Sequence, residues 1–285
     1  PYLAPLYIGA EAQRMNGRLL VVGTPGARMF SHWLFDVLPR IEAARLAGYE
    51  IEAIDHVLVQ GRPADFTEES LERLGFRPEQ ILYGRRRLPL YQAEELIVPT
   101  SVRQTKYTPA WIRHFVRGLF LGDAADVVPD TTQKVVYLSR QSAERRRIEG
   151  HELLEDFLER TEAITLLPED MTVAEVAHEL SDAALVLGPH GAGLSNSVFL
   201  PPWSAGMEFV GTHFMAEYFQ LISTTTSQYV LVSGDDAEGR DVFDPESLDA
   251  HRRAARVETR WQDIRLNPER TKQALDWAEA HLEKL

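Results

Sequence analysis

Short apolar runs alternate with longer segments of helical periodicity along most of the chain. Runs rich in valine, leucine and isoleucine are typical of buried strands, and apolar residues three or four positions apart are typical of amphipathic helices. The predicted strands are residues 19–22, 56–59, 95–98, 135–138, 163–166, 185–187, 206–210 and 229–232. The predicted helices are residues 31–46, 67–74, 109–120, 144–159, 173–180 and 268–282. This alternation predicts an α/β fold with mostly parallel sheets.

The length of the chain predicts more than one hydrophobic core. It has 285 residues, 44% of them hydrophobic, which exceeds what one core usually holds. We therefore predict two Rossmann-like lobes with an interlobe cleft, and ligands at the carboxyl ends of the strands. The polar segment 121–133 is the best linker, which gives an N-terminal lobe at 1–125 and a C-terminal lobe at 126–260. Residues 261–285 form a strand end and a helix, for which packing back on the N-terminal lobe is one expected arrangement.

Charge and composition exclude several classes of protein. The formal net charge of −13 opposes non-specific binding to nucleic acid, so no nucleic-acid partner is expected. The chain has no cysteine, which excludes disulfides, thiolate metal sites and cysteine nucleophiles. No apolar run approaches the ~20 residues of a transmembrane helix, and no signal-peptide pattern is present. We expect a cytoplasmic protein, with a peripheral position at the inner face of a membrane as a second expectation.

A glycine turn in the segment ALVLGPHGAGLSN, residues 184–196, is the most informative feature of the sequence. A strand, a glycine turn and a helix in this order aim unpaired backbone N–H groups at one point, where a phosphate usually binds. The predicted anion-binding residues are His190, Gly191, Ala192, Gly193 and Asn196. We expect the imidazole ring to point outward with the amides. The alternative is a glycine turn required only by packing, because the loop matches neither the dinucleotide fingerprint nor the P-loop.

Arginines follow the predicted strand in the segment KVVYLSRQSAERRR, residues 134–147. Arg140 stands at the end of this strand, where a guanidinium can bind phosphate oxygens through a fork of donors. One residue of Arg145–Arg147 is expected to join it from the first turn of a helix, and we select Arg147. The alternative for this cluster is a solvated basic face. Arg85–Arg87 have no strand-end context and are interpreted as a surface loop.

His32 and Asp36 lie four residues apart on a predicted helix and therefore share a face, which Arg40 continues. A carboxylate one turn from an imidazole can fix its tautomer and raise its basicity, as a general base requires. The alternative is a histidine at a helix start paired with a surface aspartate. Glu208, on a predicted strand, is a candidate to accept hydrogen bonds from ribose hydroxyls, or else an ordinary edge-strand glutamate. No histidine and carboxylate spacing predicts a metal site.

Four segments together resemble glycosyltransferase family 61. They are HWLFDVLPR at 32–40, YLSR with the arginine cluster and HELLEDF at 137–157, residues 167–202, and DIRLNPERTKQAL at 263–275. The family is similar to two-lobed GT-B glycosyltransferases. Its members transfer a sugar from a nucleotide sugar, typically UDP-linked, to an acceptor hydroxyl with inversion, generally without an essential metal. Bacterial relatives often act in polysaccharide synthesis.

The resemblance implies roles for the candidate residues. The C-terminal lobe would bind the nucleotide through Arg140, His190 and the turn 191–193, and the N-terminal lobe would present His32 and Asp36 to a glycan or glycoconjugate acceptor. Either of the last two could remove the acceptor proton. No cofactor is expected beyond the UDP-linked donor. The alternatives are an inactive module that binds a nucleotide sugar or a glycan and, less favoured because GxGxxG is absent, a Rossmann oxidoreductase.

Overall fold

The computed structural model describes most of the chain. The described residues are 11–24, 26–84, 90–103, 107–141, 146–149, 152–215, 221, 225–226, 228–248 and 262–285. The predicted loop Arg85–Arg87 and the candidate Arg145 lie outside them. Contacts between Cα atoms divide the chain into two compact units, Pro1–Leu119 and Phe120–Leu285.

The first unit contains a parallel sheet in the order β3-β2-β1-β4. Its strands are β1 (Gln13–Val21), β2 (His56–Gln60), β3 (Ile81–Gly84) and β4 (Tyr91–Ile97). Its helices are α1 (Phe30–His32), α2 (Leu38–Leu46), α3 (Asp65–Arg73) and α4 (Ala110–Leu121), the last of which runs into the second unit. The β1 strand becomes buried toward its carboxyl end, where Leu19 and Leu20 enter the core.

The helix predicted at 31–46 is interrupted by a π-helical turn, Trp33–Val37, between α1 and α2. The N–H of Leu38 donates to the carbonyl of Trp33, five residues earlier, which defines this wider turn. All residues of the turn are buried apart from Asp36, so the carboxylate is its one polar position. Such turns occur often at functional sites, so Asp36 is a candidate functional residue.

The second unit contains a parallel sheet in the order β10-β9-β8-β5-β7. Its strands are β5 (Val135–Leu138), β7 (Ile164–Leu166), β8 (Leu185–Pro189), β9 (Ala205–Val210) and β10 (Gln228–Ser233). Its described α-helices of eight or more residues, beyond the end of α4, are α5 (Glu152–Arg160), α6 (Val173–Leu180) and α7 (Pro268–Leu282). Leu275 and Ala278 of α7 belong to the core of this sheet. The expected packing of the C-terminal helix on the N-terminal lobe stays a prediction.

A short strand replaces the predicted start of the helix at 144–159. Residues Ile148–Glu149 form β6, which pairs in parallel with β11 (Ile264–Arg265), and α5 begins only at Glu152. The N–H of Ile264 donates to the carbonyl of Arg147 at 2.7 Å, so this backbone is already engaged in a strand ladder. Among the described residues, no helix is long and apolar enough to cross a membrane.

Candidate functional site

The glycine turn lies at the carboxyl edge of the second unit's sheet. The β8 strand ends at Pro189, and a 3₁₀-helix, Ala192–Phe199, begins three residues later. The predicted order of strand, turn and helix is therefore confirmed, with a 3₁₀-helix after the turn. The first N–H groups of a helix have no partner within it, and Ala192 and Gly193 at this end are partly exposed. These amides are available to an anion.

Two guanidinium groups converge on Gly191. A Cβ built on this residue would lie 3.2 Å from Nη1 of Arg146 and 3.3 Å from Nη1 of Arg140. Nη1 of Arg146 also donates to the carbonyl of His190 at 3.3 Å. Two guanidinium groups that meet at one turn are donors of the kind that bind phosphate oxygens. Binding of a phosphate or diphosphate here stays a prediction.

Arg147, which the sequence analysis selected, lies elsewhere. Its Nε and Nη2 donate to Asp263 at 3.2 and 2.9 Å, and its side chain is 54% exposed. The structure brings Arg146 to the turn instead. The sequence could not separate the two neighbours because the prediction assumed a helix there. Arg146 in fact adopts a left-handed backbone conformation with a φ of 58°.

His190 is buried, and its ring does not point outward as expected. Its side chain is 1% exposed, and Nδ1 lies 2.5 Å from Oε1 of Glu208. The rings of His213 and Phe214 pack against it, with centroids 5.6 and 5.7 Å away. Its backbone N–H donates to the carbonyl of Phe209 at 2.8 Å. His190 therefore holds the turn to the sheet rather than offering a side-chain donor at the surface.

Glu208 also departs from the prediction. The β9 strand that carries it lies between β8 and β10, so it is not an edge strand, and its side chain is fully buried. His190 occupies one carboxylate oxygen and the Tyr229 hydroxyl donates to the other. Burial, together with the carboxylate, raises the pKa of Tyr229 and keeps it a donor. Both oxygens already have partners inside the protein, so the contacts favour a supporting role, and the expected contact with ribose hydroxyls stays a prediction.

Asn196 makes a hydrogen bond within the glycine turn. It is buried in the 3₁₀-helix, and its Nδ2 donates to the carbonyl of Gly193 at 2.9 Å. This contact fixes the orientation of the peptide group at the start of the helix. The structure thus places Asn196 behind the anion site, as a support for the backbone that lines it.

In the first unit, His32 and Asp36 form the predicted pair, and Arg103 joins them. Nδ1 of His32 lies 2.5 Å from Oδ2 of Asp36. Arg103 donates from Nε to Oδ1 at 2.9 Å and from Nη2 to Oδ2 at 3.2 Å. Burial opposes ionisation of Asp36, but the hydrogen bonds from His32 and Arg103 and the charge of Arg103 outweigh it and lower its pKa. The carboxylate is therefore a weak base.

The contact with Asp36 occupies Nδ1 of His32, so Nε2 is the ring nitrogen that can accept a proton. An ionised Asp36 can only accept, so Nδ1 of His32 carries the proton and Nε2 is the basic position. The His32 side chain is 28% exposed. The ring packs on the turn after β1, where a Cβ on Gly26 would lie 2.5 Å from its Cγ. Gly26 and Arg103 were not predicted from the sequence.

Within the described ranges, no group of three or more histidine and carboxylate side chains could hold a metal ion.

A model of the family described as Glycosyltransferase 61 matches residues 30–207. This match covers well over half of the chain and includes His32, Asp36, Arg140 and the glycine turn. No curated protein matches the sequence.

Proposed function

The chain belongs to glycosyltransferase family 61, and from this premise we propose that it transfers a sugar from a UDP-linked donor to a hydroxyl of a glycan or glycoconjugate, with inversion. The observation that supports the proposal most is the convergence of Arg140 and Arg146 on Gly191. Membership of the family favours this transfer over the oxidoreductase alternative. We place the reaction in the synthesis of a polysaccharide or a related glycan.

The donor half of the reaction rests on the second unit. When the bond between the anomeric carbon and the β-phosphate oxygen breaks, UDP gains negative charge on its diphosphate. The guanidinium groups of Arg140 and Arg146 and the amides of the turn stabilise this charge as it develops. Because these groups supply the required positive charge, we propose that the transfer needs no metal ion and no cofactor other than the donor.

The acceptor half rests on the first unit. Nε2 of His32 accepts the proton of the acceptor hydroxyl as its oxygen attacks the anomeric carbon. Asp36 accepts from Nδ1, fixes the tautomer and stabilises the imidazolium that forms. Attack on the face opposite the departing UDP inverts the anomeric configuration. Of the two residues that the sequence left unranked, the contacts therefore favour His32 as the base and Asp36 as its support.

Three arginine variants test the donor site. We expect Arg140→Gln and Arg146→Gln to weaken the binding of UDP in calorimetric titrations and to lower the turnover of donor by about 10²–10³-fold each, the scale for loss of one transition-state donor. Arg147→Gln removes the same charge one residue away, at an exposed pair with Asp263, and should change both quantities by less than about threefold.

The outcomes separate the assignments. Equal losses in Arg146→Gln and Arg147→Gln would contradict the placement of Arg146 at the turn. Unchanged affinity for UDP in both Arg140→Gln and Arg146→Gln would refute the anion site itself. Binding of UDP without hydrolysis or transfer, across a panel of nucleotide sugars and acceptors, would favour the alternative of an inactive binding module.

A further inference from the structure

We propose that Arg103 is a positioning residue that keeps the His32–Asp36 pair in its base-competent form, with Asp36 ionised and oriented toward Nδ1 of His32. The inference rests on the proposed function, in which Nε2 of His32 takes the acceptor proton. Arg103 itself touches neither substrate nor reacting atoms in this proposal. It acts through Asp36.

The contacts of Arg103 show how firmly it holds the carboxylate. Its guanidinium donates to both oxygens of Asp36, and its side chain is only 11% exposed. The group also lies over the ring of Phe35, 5.8 Å from the centroid, which favours a cation at this position. A planar fork that binds both oxygens fixes the plane of the carboxylate as well as its charge. Asp36 is thereby oriented toward His32.

The charges around the pair determine the protonation of Asp36. An ionised Asp36 accepts from Nδ1 of His32 and leaves Nε2 to take up a proton, whereas a protonated carboxyl group would lose this role. The hydrogen bonds and the positive charge of Arg103 lower the pKa of Asp36 against the effect of burial. Arg40, one turn along the same helical segment, also interacts with the charge of Asp36. Among the described residues, the titratable groups that act on Asp36 are therefore His32, Arg103 and Arg40, while the turn at Gly26 contributes an uncharged backbone.

Removal of the Arg103 cation should make Asp36 easier to protonate. In Arg103→Gln we expect the midpoint of the Asp36 titration, followed by NMR on protein with labelled aspartate carboxyl groups, to move to higher pH by about 1, because the hydrogen bonds and the charge that lower the pKa of Asp36 are lost. The signal is assigned with Asp36→Asn. The acidic limb of the pH profile of kcat/KM should move in the same direction, with about tenfold lower activity on that limb and recovery at higher pH.

Two further variants provide the controls. Arg103→Lys retains the charge without the planar fork, so it should restore most of the titration midpoint while kcat stays reduced. Arg45→Gln removes an arginine from α2 that is 47% exposed and pairs with Glu42, and it should leave the midpoint unchanged. A loss of activity in Arg103→Gln that is equal at every pH, with no change in the Asp36 midpoint, would overturn the inference, because it would indicate a structural role only.

The NMR titration requires no substrate, so it separates this inference from the proposed function. A shifted midpoint in a protein that transfers no sugar would support the role of Arg103 in the pair and refute the transferase reaction. An unshifted midpoint in a protein whose wild type transfers sugar would refute the role of Arg103 alone.

Discussion

Replacement of Glu208 tests whether this carboxylate supports the turn or binds the donor. Its side chain is fully buried and accepts hydrogen bonds from Nδ1 of His190 and from the hydroxyl of Tyr229. Glu208→Ala removes both acceptors at once and leaves an imidazole and a phenol inside the protein without this partner. The structure therefore predicts a large loss in the free energy of unfolding.

The expected loss in the free energy of unfolding follows from the two hydrogen bonds that Glu208 accepts. A buried donor that loses its acceptor costs about 1–3 kcal/mol, so two of them cost about 2–6 kcal/mol. Glu208→Gln keeps the shape and an acceptor but loses the charge, so it should cost about 2 kcal/mol. Tyr229→Phe removes one of the two bonds and should cost about 1–3 kcal/mol.

Urea-induced unfolding, with hydrogen exchange followed in peptides from 185–210, measures these changes within the second unit. Glu238→Gln is the matched control, because this carboxylate is 65% exposed in its pair with Arg240 and should cost less than about 0.5 kcal/mol. The reasoning fails if Glu208→Ala keeps the stability of the wild type within about 0.5 kcal/mol while its affinity for UDP falls. That result would return Glu208 to a role in ribose binding.

Other predictions concern a buried tyrosine and two glycines. Burial raises the pKa of Tyr137 to about 12; the unfolded chain loses this proton near pH 10, so the free energy of unfolding should fall by about 3 kcal/mol between about pH 10 and 12. Unfolding of the wild type and of Tyr137→Phe at several alkaline pH values measures this term, which the variant should lack. Gly191→Ala should displace the two guanidiniums and weaken the binding of UDP by about tenfold in titrations, and, because the φ of 158° at Gly191 favours glycine, it should also lower the free energy of unfolding by about 1–3 kcal/mol. Gly26→Ala should displace the ring of His32 and lower kcat by about tenfold or more, and a wild-type rate in that variant would refute the assignment of the base.

Elements with local signals were predicted well from the sequence. The bounds of β5, α6 and α7 agree with the prediction residue by residue. The last two begin at side-chain caps: Thr172 accepts from the N–H of Glu175, and Asn267 accepts from the N–H of Arg270. Because a cap and an apolar period are both encoded within a few residues, the sequence alone can locate such a helix.

Two short strands without a long apolar run, β6 and β3, were not predicted. The β6 strand has two residues, and what makes it a strand is its pairing with Ile264–Arg265, more than a hundred positions later. The acidic and apolar residues that follow it are equally compatible with an earlier helix start. The same limit applies to β3, a short partly exposed strand whose partner is β2. Nothing in these short segments reports which distant strand they meet.

For the candidate sites too, contacts between residues close in the sequence were predicted, and contacts between distant residues were not. The pair His32 and Asp36 was predicted because residues four apart on a helix meet by geometry. Arg103 was missed because 67 residues separate it from Asp36. At the glycine turn, the order of elements was predicted, but the choice between Arg146 and Arg147 depended on a backbone conformation that a helical pattern could not indicate.

Two histidine–carboxylate pairs, one in each unit, show why a motif alone does not assign a role. His32–Asp36 and His190–Glu208 have the same Nδ1–oxygen distance of 2.5 Å. The first pair is 28% and 19% exposed and includes an arginine, so its imidazole can reach a substrate while its carboxylate stays ionised. The second is 1% and 0% exposed and includes a tyrosine hydroxyl, so it cannot exchange a proton with a bound acceptor. In the proposed function, burial and the third partner therefore direct one pair to proton transfer and the other to support of the turn.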